Sequence, residues 1–154
     1  MGISSGAIDA ALYAHLDKRI TGVVLLAGFS DLKTAVQYDF ISEQITSFKK
    51  KKYIIYHCPG KWYDGKKLKK KFYDEFFVLD IPQALKKYKK PILIIHGDKD
   101  TAVPVSNAHA LYEIANQPKQ IVIIKNADHK FSKTLHGLQV VSHIRKFMKR
   151  SNLI

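Results

Sequence analysis

An α/β fold built on a parallel sheet is predicted by three apolar runs and by what separates them. Residues 21–29 centre on Val23-Val24-Leu25-Leu26-Ala27-Gly28, residues 91–97 read Pro-Ile-Leu-Ile-Ile-His-Gly, and residues 121–124 read Ile-Val-Ile-Ile. None alternates apolar with polar side chains, so each strand should be covered on both faces, as parallel strands are. The intervening segments carry helix-like patterns, and strands alternating with helices make crossover units.

Taken in order, residues 4–16 predict a short helix with alanine at 7, 10, 11 and 14, small enough to lie close against a sheet. Asp17-Lys18-Arg19 closes it and the first strand follows. Residues 30–90 are less regular. Leu32, Val36, Phe40, Ile41, Ile45 and Phe48 recur at mixed three- and four-residue spacing and predict an amphipathic helix. Tyr53-Ile54-Ile55-Tyr56, then Pro59-Gly60, Trp62-Tyr63 and Asp64-Gly65, predict a hairpin with turn punctuation. A short basic helix and a cluster of Phe72, Tyr73, Phe76 and Phe77 come next, and Asp80 is placed to cap a helix over residues 81–88. After the second strand, residues 105–116 predict a helix packing through Leu111, Ile114 and Ala115. After the third, residues 135–150 predict one with Leu138, Val141, Ile144, Phe147 and Met148 on a single face.

The chemistry is concentrated in three short stretches. Gly2-Ile3-Ser4-Ser5-Gly6 fits the G-x-S-x-G pattern of a sharp strand-to-helix turn that exposes a serine, with glycines either side where side chains would collide. By itself the pentapeptide equally suits a turn or helix-cap serine. Yet the second strand empties into Asp98-Lys99-Asp100 and the third into Asp128-His129, so an acid and a histidine follow the carboxyl ends of buried strands. Catalytic groups of open α/β sheets gather at that end.

Together, G-x-S-x-G at 2–6, HGDKDTAVP at 96–104 and ADHKF at 127–131 resemble the carboxyl-terminal half of an α/β-hydrolase, closest to small serine esterases similar to cinnamoyl (feruloyl) esterases. The resemblance implies Ser4 as nucleophile, Asp100 (rather than Asp98) as the acid and His129 as the base, with the Ser5 backbone N–H as the first oxyanion donor. It implies a small-molecule ester, or alternatively a thioester, as substrate, and neither cofactor nor metal. The remaining histidines, 15, 57, 96, 109, 136 and 143, are expected to be surface or packing residues, with His96 hydrogen-bonded at a strand end.

The same resemblance implies that residues 1–154 are a partial domain of about three parallel strands with flanking helices. A helical and hairpin cap is expected at about 31–90, and the strand that should carry Ser4 is expected to be missing. The Val23 strand would then be an open edge, a hazard for aggregation. The chain is accordingly expected to be marginal or to associate, with a missing amino-terminal half or with another copy of itself. The alternative to an active esterase is an inactive remnant or one half of a split enzyme. Trp62, Tyr63 and Phe72 are expected in the cap's own core, the competing expectation being a lining for an acyl group.

Composition argues against other classes. A net charge of +13 invites a nucleic-acid reading, but all except three of the 26 basic residues are lysine, whereas bidentate recognition of bases and phosphates favours arginine. No nucleic-acid-binding signature accompanies the runs at 49–52, 66–67, 69–71, 86–87 and 89–90, which are expected to solvate the surface. Residues 1–12 lack a basic leader and an unbroken apolar segment. No run reaches the ~18 apolar residues of a membrane span, so no membrane partner is expected. The single cysteine, Cys58, forms no internal disulfide and fits a reduced, cytoplasmic chain.

Overall fold

The computed structural model describes residues 1–154 throughout. In chain order the elements are β1 (Gly2–Ile3), α1 (Ser5–Tyr13), β2 (Val23–Leu26), α2 (Leu32–Asp39), α3 (Ser42–Lys51), β3 (Tyr53–Ile55), β4 (Lys67–Lys69), α4 (Lys70–Glu75), α5 (Ile81–Lys87), β5 (Ile92–Gly97), α6 (Ser106–Ile114), β6 (Lys119–Ile124) and α7 (Thr134–Arg150). They fall into two compact units, one of residues 1–31 with 80–154, the other of residues 32–79.

The first unit holds a parallel sheet in the order β1-β2-β5-β6. Four strands stand where about three were expected. Gly2 and Ile3 pair with Leu25 and Leu26, and the Ser4 N–H donates to the Leu26 carbonyl at 2.9 Å. The strand carrying Ser4 is therefore present as a two-residue stub, too short to leave a periodic signal in sequence. This corrects the expected open edge as well: β2 is interior, and the edges of the sheet are β1 and β6.

The apolar runs are buried on both faces, as their lack of alternation requires. Val24, Leu26, Leu93, Ile95 and Ile124 form one core with Val140 and Phe147 of α7. The intervening side chains Val23, Leu25, Ile92 and Ile94 are equally buried, on the opposite face by the two-residue strand period. Here α1 approaches through alanine: Ala7, Ala11 and Ala14 are all buried. A Cβ added to Gly28 would lie 2.9 Å from the Ala7 Cβ, so glycine after β2 lets the helix seat.

In α7 the expected face is borne out at Ile144, Phe147 and Met148, which pack on the sheet core, and not at Leu138 and Val141, which are 63% exposed. His136 and Val140 are buried in their place. Asp80 caps α5 as expected, accepting from the Gln83 N–H at 2.8 Å. The far end of α5 is held by a residue whose sequence context gave no signal: the Asn116 amide donates to the carbonyls of Leu85, Lys86 and Tyr88.

Tyr88, 3% exposed, donates its hydroxyl to the Ile20 carbonyl at 3.4 Å. Burial pushes its phenol up to about 12, against roughly 10 in an unfolded chain. The unfolded state therefore loses this proton first as pH rises. The stability Tyr88 contributes is complete below pH ~10 and is lost through pH ~12. Alkaline unfolding followed by circular dichroism should show this loss in the parent chain and a shallower one in Tyr88→Phe.

The second unit has its own aromatic core. Phe48 is fully buried and stacks on Tyr73 with ring centroids 5.1 Å apart, and Phe40 meets Phe48, Tyr73 and Phe76 edge-on. The single helix expected over 32–48 is broken at Phe40 and Ile41 into α2 and α3, where the Gln44 side chain accepts from the Ile41 N–H. The return strand of the hairpin is β4, pairing Ile54 with Leu68, rather than Trp62-Tyr63. Phe72 joins the aromatic cluster. Trp62 does not; it is 82% exposed. No helix of the chain is long and apolar enough to cross a membrane.

Candidate active site

Ser4, Asp100 and His129 come together at the carboxyl ends of β1, β5 and β6, three elements far apart in sequence. Ser4 leaves the β1 stub with φ 54° and ψ −122°, a conformation that a residue with a side chain adopts only under strain, of about 1–3 kcal/mol. The turn is held from both sides. The Ser4 N–H is fixed to Leu26, and its carbonyl accepts the Ala7 N–H at 2.9 Å.

The two glycines of the motif have unequal roles. A Cβ on Gly2 would fall 1.9 Å from the Gly6 carbonyl oxygen, whereas one on Gly6 would meet nothing within 4 Å. The expectation that both positions exclude a side chain is thus corrected for Gly6. What the turn requires is that Gly2 lie against the backbone at Gly6.

The Ser4 hydroxyl lies 3.0 Å from His129 Nε2, and His129 Nδ1 lies 2.8 Å from Asp100 Oδ2. Because a carboxylate only accepts, Nδ1 carries the proton and Nε2 is free to accept from the serine. The Asp100 side chain is fully buried and that of His129 is 20% exposed. Burying a carboxylate is costly unless donors surround it. Asp100 Oδ1 accepts the N–H groups of Ala102 and Val103 at 2.9 and 2.8 Å, and its Oδ2 receives His129. Ser5, the first helical residue of α1, has an N–H without an intrahelical acceptor, as at any helix start.

Asp98 and Asp100 are separated in role by a few ångströms of backbone. Asp98 Oδ1 accepts the Asn126 N–H at 2.5 Å, while the Asp98 and Lys99 N–H groups donate to the Ile124 and Ala127 carbonyls. Asp98 thus laces the acid loop to the histidine loop, and Asp100 faces the imidazole. The approach is permitted by Gly97, where a Cβ would lie 2.2 Å from the Ala127 oxygen.

Asp128 accepts from the Ser132 N–H at 2.7 Å, and hydrogen bonding from the Ser132 hydroxyl, together with this N–H, holds its carboxyl below the usual range. Phe131, at φ 53°, returns the chain into the core. The D-H-x-F stretch is therefore a turn brace, a site residue and an anchor. Asn107 is a support for which its polar type at a helix start was the only signal. Its Oδ1 accepts the Ser30 N–H and hydroxyl, both at 3.0 Å, and its amide donates to the Pro104 carbonyl.

The family model described as the prolyl oligopeptidase family matches residues 1–152. The chain belongs to that family. Its fold is that of α/β-hydrolases: this family member superimposes on Est1E from Butyrivibrio proteoclasticus, solved with ferulic acid bound, with TM-score 0.76 at 22% identity, over 99% of this chain and 59% of that one. It also matches the esterase domain of a Rhodothermus marinus protein, with TM-score 0.73 at 18% identity, over 97% of this chain and 59% of that one. Among curated relatives, the uncharacterized protein YqkD of Bacillus subtilis is 32% identical over 69 residues, 45% of this chain and 23% of the relative. The chain spans about three-fifths of the length of these solved structures.

Proposed function

We propose that this family member is a serine hydrolase that cleaves carboxylic esters through an acyl-Ser4 intermediate. The observation carrying the reading is the continuous hydrogen-bond path from Ser4 Oγ through His129 to the buried Asp100 carboxylate.

A serine hydroxyl is a poor nucleophile at neutral pH and needs a base within reach. As Ser4 Oγ attacks the ester carbonyl, His129 Nε2 takes its proton, and Asp100 stabilises the resulting imidazolium and keeps Nδ1 protonated. The tetrahedral oxyanion takes a hydrogen bond from the Ser5 N–H, supported by the partial positive charge at the start of α1. His129 then returns the proton to the departing alkoxide, leaving acyl-Ser4. Water deprotonated by His129 attacks the acyl carbon, releasing the carboxylic acid and restoring the serine.

An ester is preferred to a peptide because the solved folds that this chain resembles include one with ferulic acid bound and one described as an esterase domain. Hydrolysis of p-nitrophenyl butyrate and of a peptide anilide by the purified chain tests both parts. Ester cleavage well above the spontaneous rate is expected, with a loss of at least about 10³-fold in Ser4→Ala. Faster cleavage of the anilide, or full ester turnover in Ser4→Ala, would overturn the reading.

A further inference from the structure

We propose that His96, a strand residue outside the serine, acid and base, is a positioning residue for this reaction: its neutral imidazole donates from Nε2 to the Val103 carbonyl and lies against Asp100 Oδ2, fixing the turn that holds the carboxylate facing His129. The inference rests on the serine-hydrolase reading and goes beyond it in naming a fourth side chain.

His96 is fully buried in β5, where it pairs in register with Ile123 of β6. Its Nε2 lies 2.9 Å from the Val103 carbonyl and 3.1 Å from Asp100 Oδ2. Both neighbours only accept, so Nε2 must carry the proton. Its Nδ1 is buried with no partner. A proton there would be an unpaired buried donor, which rules out both the other tautomer and the imidazolium at ordinary pH. Burial likewise pushes this imidazole below its usual value, and the titratable groups facing it are Asp100 and His129.

The consequence is a closed network. Val103 donates its N–H to Asp100 Oδ1 and accepts at its carbonyl from His96. Asp100 Oδ2 accepts from His129 at 2.8 Å, with His96 Nε2 lying 3.1 Å from the same oxygen. With Ala102 and Val103 on Oδ1, the carboxylate has three donors and cannot rotate without losing some of them. His96 sits on an interior strand of the sheet, so it transmits the position of a rigid element to the loop that holds the carboxylate.

The test is substitution of His96 in the 154-residue chain by Gln, whose amide nitrogen reaches the Nε2 position, and by Asn, whose amide reaches only Nδ1. A third variant, His96→Leu, removes the donor altogether. Fluorophosphonate labelling should be resolved into a maximal rate and an apparent affinity. Asn and Leu should lower the maximal rate about 3- to 10-fold, the worth of a neutral hydrogen bond, with the affinity little changed. Gln should recover most of that loss. Equal rates in Gln and Asn, or a parent-like rate in Leu, would overturn the proposal, and the Gln and Asn pair decides it should Leu fail to fold. The downfield proton resonance of His129 Nδ1–H gives a readout without turnover. If Ser4 proves unreactive but Asn shifts this resonance and Gln does not, the hydrolase reading fails while the positioning of Asp100 by His96 stands.

Discussion

Asp100→Asn is expected to leave a folded chain with about 10⁴-fold lower ester turnover, the size of effect that follows from holding a catalytic histidine in the wrong tautomer. The amide can keep an oxygen toward the Ala102 and Val103 N–H groups, now 2.9 and 2.8 Å from Oδ1. Its NH₂ must then face His129 and His96. His129 donates to Oδ2 in the parent chain, so it must reverse its tautomer and present an N–H to Ser4. Nothing is left to accept the serine proton. Asp100→Ala should add a folding defect of about 2–4 kcal/mol, because donors that met the buried carboxylate lose their acceptor. Steady-state ester kinetics with thermal melts of both variants separate the two effects; parent-like turnover in Asp100→Asn would contradict the tautomer argument.

Gly97→Ala should be among the most damaging single methyl groups in the first unit. The new Cβ would lie 2.2 Å from the Ala127 oxygen and 2.7 Å from its carbon, contacts that backbone cannot absorb without moving. The bonds that would part are those joining the acid and histidine loops: Lys99 N–H to Ala127, Asp98 N–H to Ile124 and Asn126 N–H to Asp98. A cost of about 3 kcal/mol is expected, or roughly 10 °C in melting temperature for a chain of this size, with slowed labelling because His129 shifts away from Asp100. Gly137→Ala is the control. Its Cβ would meet nothing within 4 Å in the interior of α7, so alanine there should stabilise by about 0.5–1 kcal/mol through helix propensity. Melting curves of the two variants check both signs.

What the sequence made legible follows from how strongly each feature is encoded. Fully apolar runs announce buried parallel strands, and β2, β5 and β6 lie where the runs at 23, 92 and 121 place them, with a few residues' difference at the ends. β1 was invisible because two residues cannot show a period. The α7 face departs from expectation only in its first half, because Leu138 and Val141 fit an apolar stripe as well as Val140 does, and only the sheet selects between them. The motifs identified residues by type and order, and the structure brings those at 4, 100 and 129 within hydrogen-bonding distance. Supporting residues were harder to see. His96, Asp98 and Asn107 act through backbone carbonyls and N–H groups whose positions exist only in the folded chain.

The measurement that bears most directly on the central claim is the mass and position of a fluorophosphonate adduct on the purified chain, mapped by peptide sequencing. A single adduct on Ser4, absent from Ser4→Ala and strongly slowed in His129→Ala, is the expected result. An adduct on another residue, or none on a chain shown by its melt to be folded, would contradict the assignment of Ser4 as an activated nucleophile.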